Sequence, residues 1–228
     1  MTLSRWIRGS AFLAVWFAAC ANGQVSEKAN ERYQTPEGRA SMARSLGSPG
    51  RDAEQKPKEL VAEMALKPGM TVADIGAGPG YMLPYLSEAV GPSGSVLVED
   101  IFQDFLDNAR KKAEAAKITN AKFILGGEKD PKLPPDSVDV ALVLDAYHHF
   151  EYPAPMLAGI RKALRENGRF VLVDYYRRPN AMGNGSAMKH IRLDKDDVIK
   201  EVEANGFHAV AQQDHIPDKQ YLVVFEKQ

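Results

Sequence analysis

The chain has 228 residues, 44% hydrophobic and 26% charged, the proportions of an ordinary globular protein with one α/β-sized domain and a short extension. A formal net charge of −1 leaves no basic footprint for nucleic acid. The single cysteine, Cys20, excludes an intramolecular disulfide framework and a multi-cysteine metal site, and no other metal-ligand set is expected.

Arg5 and Arg8, with no acidic residue nearby, precede an apolar run from Ser10 to Ala21. The run is too short for a transmembrane span, which needs about 20 apolar residues. It fits a signal peptide over residues 1–21, so export to the periplasm or medium is expected. Two processing readings stand side by side. Ala19-Cys20-Ala21 suits cleavage before Asn22, and Phe17-Ala18-Ala19-Cys20 suits a lipobox that would make Cys20 a lipid anchor. Without residues 1–21 the chain keeps 27 basic and 30 acidic side chains.

Residues 22–66 read as a helical arm. Thr35-Pro36 is a helix start with proline at its first position. From Arg51 a second helix is expected to run to about Leu66, with Leu60, Val61, Met64 and Ala65 on one apolar stripe. Arg51 and Gln55 are either a solvated face or part of a lid over a ligand. Lys67-Pro68-Gly69 then breaks the helix, and the remaining domain spans residues 67–228.

Thr71 to Ile75 reads as a buried strand, and Asp74-Ile75-Gly76-Ala77-Gly78-Pro79-Gly80 as an acidic strand end followed by a glycine turn. A helix over Tyr81–Val90 follows. Such a unit brings backbone N–H groups and a helix start up to a ligand. The glycine spacing is not that of a dinucleotide fingerprint. Ser95 to Val98 is the second strand. It ends in Glu99-Asp100, and a carboxylate in this place can accept from both hydroxyls of a ribose.

Ala121–Leu125 is the third strand. Val138–Leu144 is the fourth, a nearly continuous apolar run of the kind found in central parallel strands. Asp145-Ala146-Tyr147-His148-His149-Phe150-Glu151-Tyr152 follows it and should face the same crevice as the glycine turn. A helix over Pro155–Leu164, a fifth strand over Arg169–Val173 and a helix over Lys195–Ala204 come next. His208–Gln213 and Tyr221–Glu226 read as an antiparallel hairpin.

Asp74-x-Gly-x-Gly-x-Gly, Asp100, the Asp145–Tyr152 cluster and the closing hairpin together resemble class I S-adenosylmethionine-dependent methyltransferases. The likeness extends to an exported bacterial group and covers roughly residues 30–228. It implies a doubly wound, mostly parallel, seven-stranded Rossmann-like sheet with a C-terminal antiparallel hairpin. It also implies S-adenosylmethionine as cofactor, contacted by Asp74, Gly76, Gly78, Gly80 and Asp100. Gly127 and Asp130, or Glu128, would recognise the adenine edge, and Asp145 and Tyr147 would lie near the cofactor. His148 and His149 are candidate general bases because imidazole titrates near neutrality. Tyr152, His190 and Arg192 would border a small-molecule acceptor with an oxygen or nitrogen nucleophile. The competing expectation is a non-catalytic ligand- or partner-binding module on the same fold. Oligomeric state is not readable.

Overall fold

The computed structural model describes residues 26–182 and 185–228. The signal-peptide and Cys20 expectations fall on residues 1–25, outside the described residues.

A seven-stranded sheet organises the molecule, in the order β3-β2-β1-β4-β5-β7-β6. The strands are β1 (Thr71–Ile75), β2 (Ser95–Asp100), β3 (Ala121–Leu125), β4 (Val138–Leu144), β5 (Leu164–Tyr175), β6 (Phe207–Ile216) and β7 (Gln220–Lys227). The first five are parallel where they pair; β7 runs antiparallel to β5 and to β6. This is the doubly wound sheet with a terminal hairpin that the sequence predicts. Strand order reverses between β1 and β4, which opens the ligand crevice of such sheets at the carboxyl ends of these two strands.

The apolar run of β4 has a simple cause: it feeds two cores. Ala141 and Val143 pack on one face of the sheet, Val140, Leu142 and Leu144 on the other. Successive side chains point to opposite faces, so a strand covered on both sides must be apolar throughout. The first face is covered by α7 (Pro153–Ala163) through Met156, Leu157 and Ile160, and by α9 (Lys195–Glu203) through Val198 and Val202. The second is covered by α4 (Pro57–Glu63), α5 (Leu83–Val90) and α6 (Gln103–Ala115), with Leu60, Leu86 and Leu106 fully buried.

Ahead of the sheet lie α1 (Glu27–Asn30), α2 (Pro36–Leu46) and α3 (Arg51–Gln55). The start of α2 is as expected: the Thr35 hydroxyl accepts the Gly38 N–H at 3.1 Å, with Pro36 in the first turn. The single helix expected over Arg51–Leu66 is instead two. The break falls at Lys56, at φ 44° between α3 and α4, where Pro57 disfavours right-handed helical backbone in the residue before it. That break turns α3 inward and buries Gln55 to 5% exposure. Beyond β5 the short helix α8 (Ala187–His190) precedes α9. Among the described residues no helix is long and apolar enough to cross a membrane.

Candidate functional site

A cleft of about 1180 Å³, open solvent included, lies over the carboxyl ends of β1, β2 and β4. Its floor at one end is the glycine turn. Gly76, Gly78 and Gly80 have φ of 69°, 55° and 74°, a region closed to most side chains. A Cβ at Gly76 would stand 2.7 Å from that of Ala146, and one at Gly80 2.9 Å from that of Ala109. The turn is tied to β2: Ala77 N–H donates to the Glu99 carbonyl, Gly76 N–H to Glu99 Oε2 at 3.1 Å, and Gly78 N–H to Asp100 Oδ2 at 2.8 Å.

Three carboxylates crowd this end, Asp74, Glu99 and Asp100, each no more than 5% exposed. Burial, aided by the Asp100 charge, pushes Asp74 up to about 7. Burial likewise raises Glu99 well above its ordinary range and Asp100 to about 6, against backbone N–H bonds from Phe102, Gly78 and Ile101 that hold Asp100 down. Asp74 Oδ2 and Glu99 Oε1 are buried with no hydrogen-bond partner among the described residues. Buried acceptors left bare are costly, and here they border a cavity, so a ligand bearing hydroxyl and ammonium donors would satisfy them. Gly126 leaves the space Glu99 occupies, since a Cβ there would overlap Glu99 Oε1 at 1.7 Å. Glu99, which the sequence reading ranked behind Asp100, is thus as much a part of the site as its neighbour.

The roof comes from the arm. The Arg51 guanidinium lies 4.0 Å from the centre of the Tyr81 ring and 3.8 Å from Asp145 Oδ2. Asp52 accepts from the hydroxyls of Tyr81 and Tyr85. Tyr33 stacks on Phe102 and meets the His149 ring edge-on at 5.0 Å. Neither Arg51 nor Gln55 sits on a solvated face: Arg51 lines the cleft, and Gln55 is buried beside it against Asp145.

Asp145 closes β4 at φ 52°, an unusual conformation for a non-glycine residue and one that clusters at functional sites. Gln55 Nε2 and Gln220 Nε2 donate to its two oxygens at 2.6 and 2.7 Å. Burial still raises its carboxyl to about 6, with Arg51 opposing. Gln220 comes from the hairpin, which explains how β7 contributes to a site at the far end of the sequence.

At the second end His149 lines the cleft, while the rings of His148 and His190 pack against it from outside the lining, at 4.1 and 5.2 Å. His148 Nδ1 lies 2.7 Å from Asp174 Oδ1, and the His148 N–H donates to the other oxygen of Asp174. His149 Nδ1 lies 2.8 Å from Asn30 Oδ1. The Asn30 amide nitrogen donates to the His149 carbonyl and to Glu151, which fixes Asn30 Oδ1 as an acceptor and His149 Nδ1 as the protonated nitrogen. His190 joins from α8, its ring 4.9 Å from that of His148 and 5.2 Å from that of His149. Burial holds His149 well below its ordinary value and His190 near 4, both reinforced by the charge of His148. Burial acts on His148 in the same direction, but the Asp174 carboxylate outweighs it and raises the imidazole.

Several expected site residues stand away from this cleft. Tyr147 is 1% exposed in the core, its hydroxyl donating to Glu201 at 2.7 Å rather than meeting a cofactor. Arg192 is occupied by the same Glu201 at 3.0 and 2.6 Å, so its charge is already matched. Asp130 is exposed and accepts from the Lys132 N–H; Gly127 and Glu128 line the cleft in its place. Tyr152 lies under the Lys129 ammonium, outside the cleft lining. Asp174, Asn30, Tyr33 and Gln220 belong to the site without being among the expected residues. Only Asp174 carried a signal, as a charged residue ending an apolar strand.

Comparisons with known proteins agree with this geometry. The methyltransferase domain family matches residues 66–222. An uncharacterised methyltransferase of Bacillus subtilis, YcgJ, is 30% identical over 109 residues, covering 46% of this chain and 40% of that protein. The ubiquinone/menaquinone biosynthesis C-methyltransferase UbiE of Burkholderia cenocepacia is 27% identical over 115 residues, 50% of this chain and 47% of that one. The chain thus spans less than half the length of these curated relatives. In fold it is similar to a SAM-dependent methyltransferase from Aquifex aeolicus, with a TM-score of 0.75, 23% identity, and coverage of 81% of this chain and 96% of that one. The chain belongs to the methyltransferase domain family.

Proposed function

We propose that the protein transfers a methyl group from S-adenosylmethionine to a small acceptor through an oxygen or nitrogen nucleophile. The observation that carries this reading is the two-ended cleft: bare buried carboxylate oxygens at the glycine turn and a neutral imidazole, His149, at the other end. When bound, the cofactor supplies a methyl on a sulfonium, a leaving group that needs no protonation. Glu99 and Asp100 would hold the ribose hydroxyls, Asp74 and Asp145 the amino acid part, and Gly127 and Glu128 would flank the adenine.

The chain's own residues then do three things. The arm, through Tyr33, Asn30 and Arg51, walls the cleft and limits the acceptor to a small molecule. Phe102, Phe105 and Phe150 give it apolar walls that exclude water. His149, with Nδ1–H directed to Asn30, presents Nε2 as the atom that takes a proton from the nucleophile. Alignment of the two reactants supplies most of the acceleration.

The pattern of residues 1–21 supports placing this activity outside the cytoplasm, free or anchored through Cys20. Titration calorimetry with S-adenosylmethionine on the purified protein tests the reading: one site per chain is expected. Absence of binding at millimolar cofactor would sink it.

A further inference from the structure

We propose that His148, His149 and His190 form a binding site for one divalent transition metal ion at the acceptor end of the cleft. One ring nitrogen from each histidine lies within 4.8 Å of the other two. The three rings come from two separate segments: His148 and His149 from the turn after β4, His190 from the end of α8. Nothing in packing alone requires three imidazoles to face one another.

The support behind them is that of a metal site. A metal-binding histidine donates its other ring N–H to a carboxylate or carbonyl-type oxygen, which sets the tautomer and aims the free lone pair. His148 Nδ1 is held by Asp174, and His149 Nδ1 by Asn30. Both Nε2 lone pairs are therefore left for a ligand. His190 makes no ring hydrogen bond among the described residues, so it has a nitrogen to give. Asp174, 1% exposed, is a buried carboxylate, and a cation beyond His148 would offset its charge.

Ligand type narrows the ion. Three imidazoles with no thiolate suit zinc, cobalt, nickel or iron in the divalent state, and three protein ligands leave a fourth position open. Metal–nitrogen bonds of about 2.0–2.1 Å place tetrahedral ligands about 3.4 Å apart, so nitrogens within 4.8 Å of one another close by no more than about 1.4 Å on an ion. Of the three, His149 lines the cleft, so the ion would border the acceptor space through that ligand. This rests on the methyl-transfer reading and reassigns one atom in it: with the ion in place His149 Nε2 is a ligand instead of the proton acceptor, and the cation acidifies a coordinated hydroxyl or amine so that its proton passes to solvent.

The test needs no cofactor, so its failure is separate from failure of methyl transfer. Untagged, metal-free protein is titrated with cobalt(II) and followed by visible absorption. One equivalent should give the intense band of a four-coordinate site, and zinc(II) should displace it. His190→Ala should abolish the band while thermal unfolding shows an intact fold. Asp174→Asn should weaken metal binding by about 10–100-fold, the usual effect of losing such support. His208→Ala, an exposed histidine outside the cluster, should change nothing. Absence of a one-equivalent band, or a band that survives His190→Ala, would overturn the proposal.

Discussion

The two ends of the cleft are made in different ways. The cofactor end is assembled from residues close in sequence: the turn Gly76–Gly80 and the tip of the adjacent strand, Glu99 and Asp100, held together by backbone N–H bonds. The acceptor end draws Asn30 from the arm, His148 and His149 from one strand end, Asp174 from the next and His190 from a short helix. The first is charged and short of donors; the second is a set of neutral or singly charged rings with a buried carboxylate behind. A cationic nucleoside suits the one and a polarisable nucleophile the other. Local geometry fixes the glycine-turn end, whereas the imidazole end depends on long-range packing.

The sharpest way to break this contrast is Gly76→Val. A β-branched residue at positive φ, with its Cβ pressed on Ala146, should remove cofactor binding, a loss of more than about 3 kcal/mol in calorimetry. Retained affinity would mean the turn is not the cofactor floor. Asp100→Ala should weaken cofactor binding by roughly 1–3 kcal/mol. If Glu99→Gln has the larger effect instead, the ribose belongs to Glu99, whose Oε1 lacks a partner.

Gln55→Ala removes a donor to the buried Asp145 and should lower stability by about 1–3 kcal/mol in urea unfolding. An unchanged midpoint would show that Gln220 and Arg51 suffice to hold that carboxylate.

The acidic end should also respond to pH. Asp74, Asp100 and Asp145 stand at about 7, 6 and 6 in the folded chain, above their ordinary values. Their contribution to the stability of the ligand-free protein is therefore complete below about pH 4 and is lost as pH rises through 6 to 7. Cofactor binding should run the other way. Its positive charges favour ionised carboxylates, so affinity should rise about tenfold between pH 5 and 7.5, with proton release visible in buffers of different ionisation enthalpy. A flat profile would place the cofactor's charges elsewhere. The smallest effect is expected from Arg192→Met. Its partner Glu201 is partly exposed, so about 1 kcal/mol of stability and less than a twofold change in cofactor affinity are expected from equilibrium unfolding and calorimetry.

These outcomes also separate what could be read from residues alone. The strand spans β3 and β4, the Thr35 cap and the terminal hairpin follow from local rules, and the structure has them. The split at Lys56 is equally local, since Pro57 follows it, yet the apolar stripe through Leu60 and Met64 reads as one continuous helix. Tyr147 and Arg192 looked like site residues because they neighbour or follow the histidines. Both instead meet Glu201, on a helix that no local pattern links to either of them.

The amino-acid order by itself determined the sheet, the glycine turn and the carboxylates beside it, because each rests on spacing over a few residues: period-two burial, positive φ at glycine, an acidic strand end. Only tertiary structure decided which side chains face one another across the cleft. Asn30 and His149 are 119 positions apart, and Gln55 and Gln220 are 165 apart. Pairings at that distance are chosen by how α1 packs on the turn after β4 and α3 on β7. Sequence periodicity reports which face of an element is buried, and leaves open what stands opposite it.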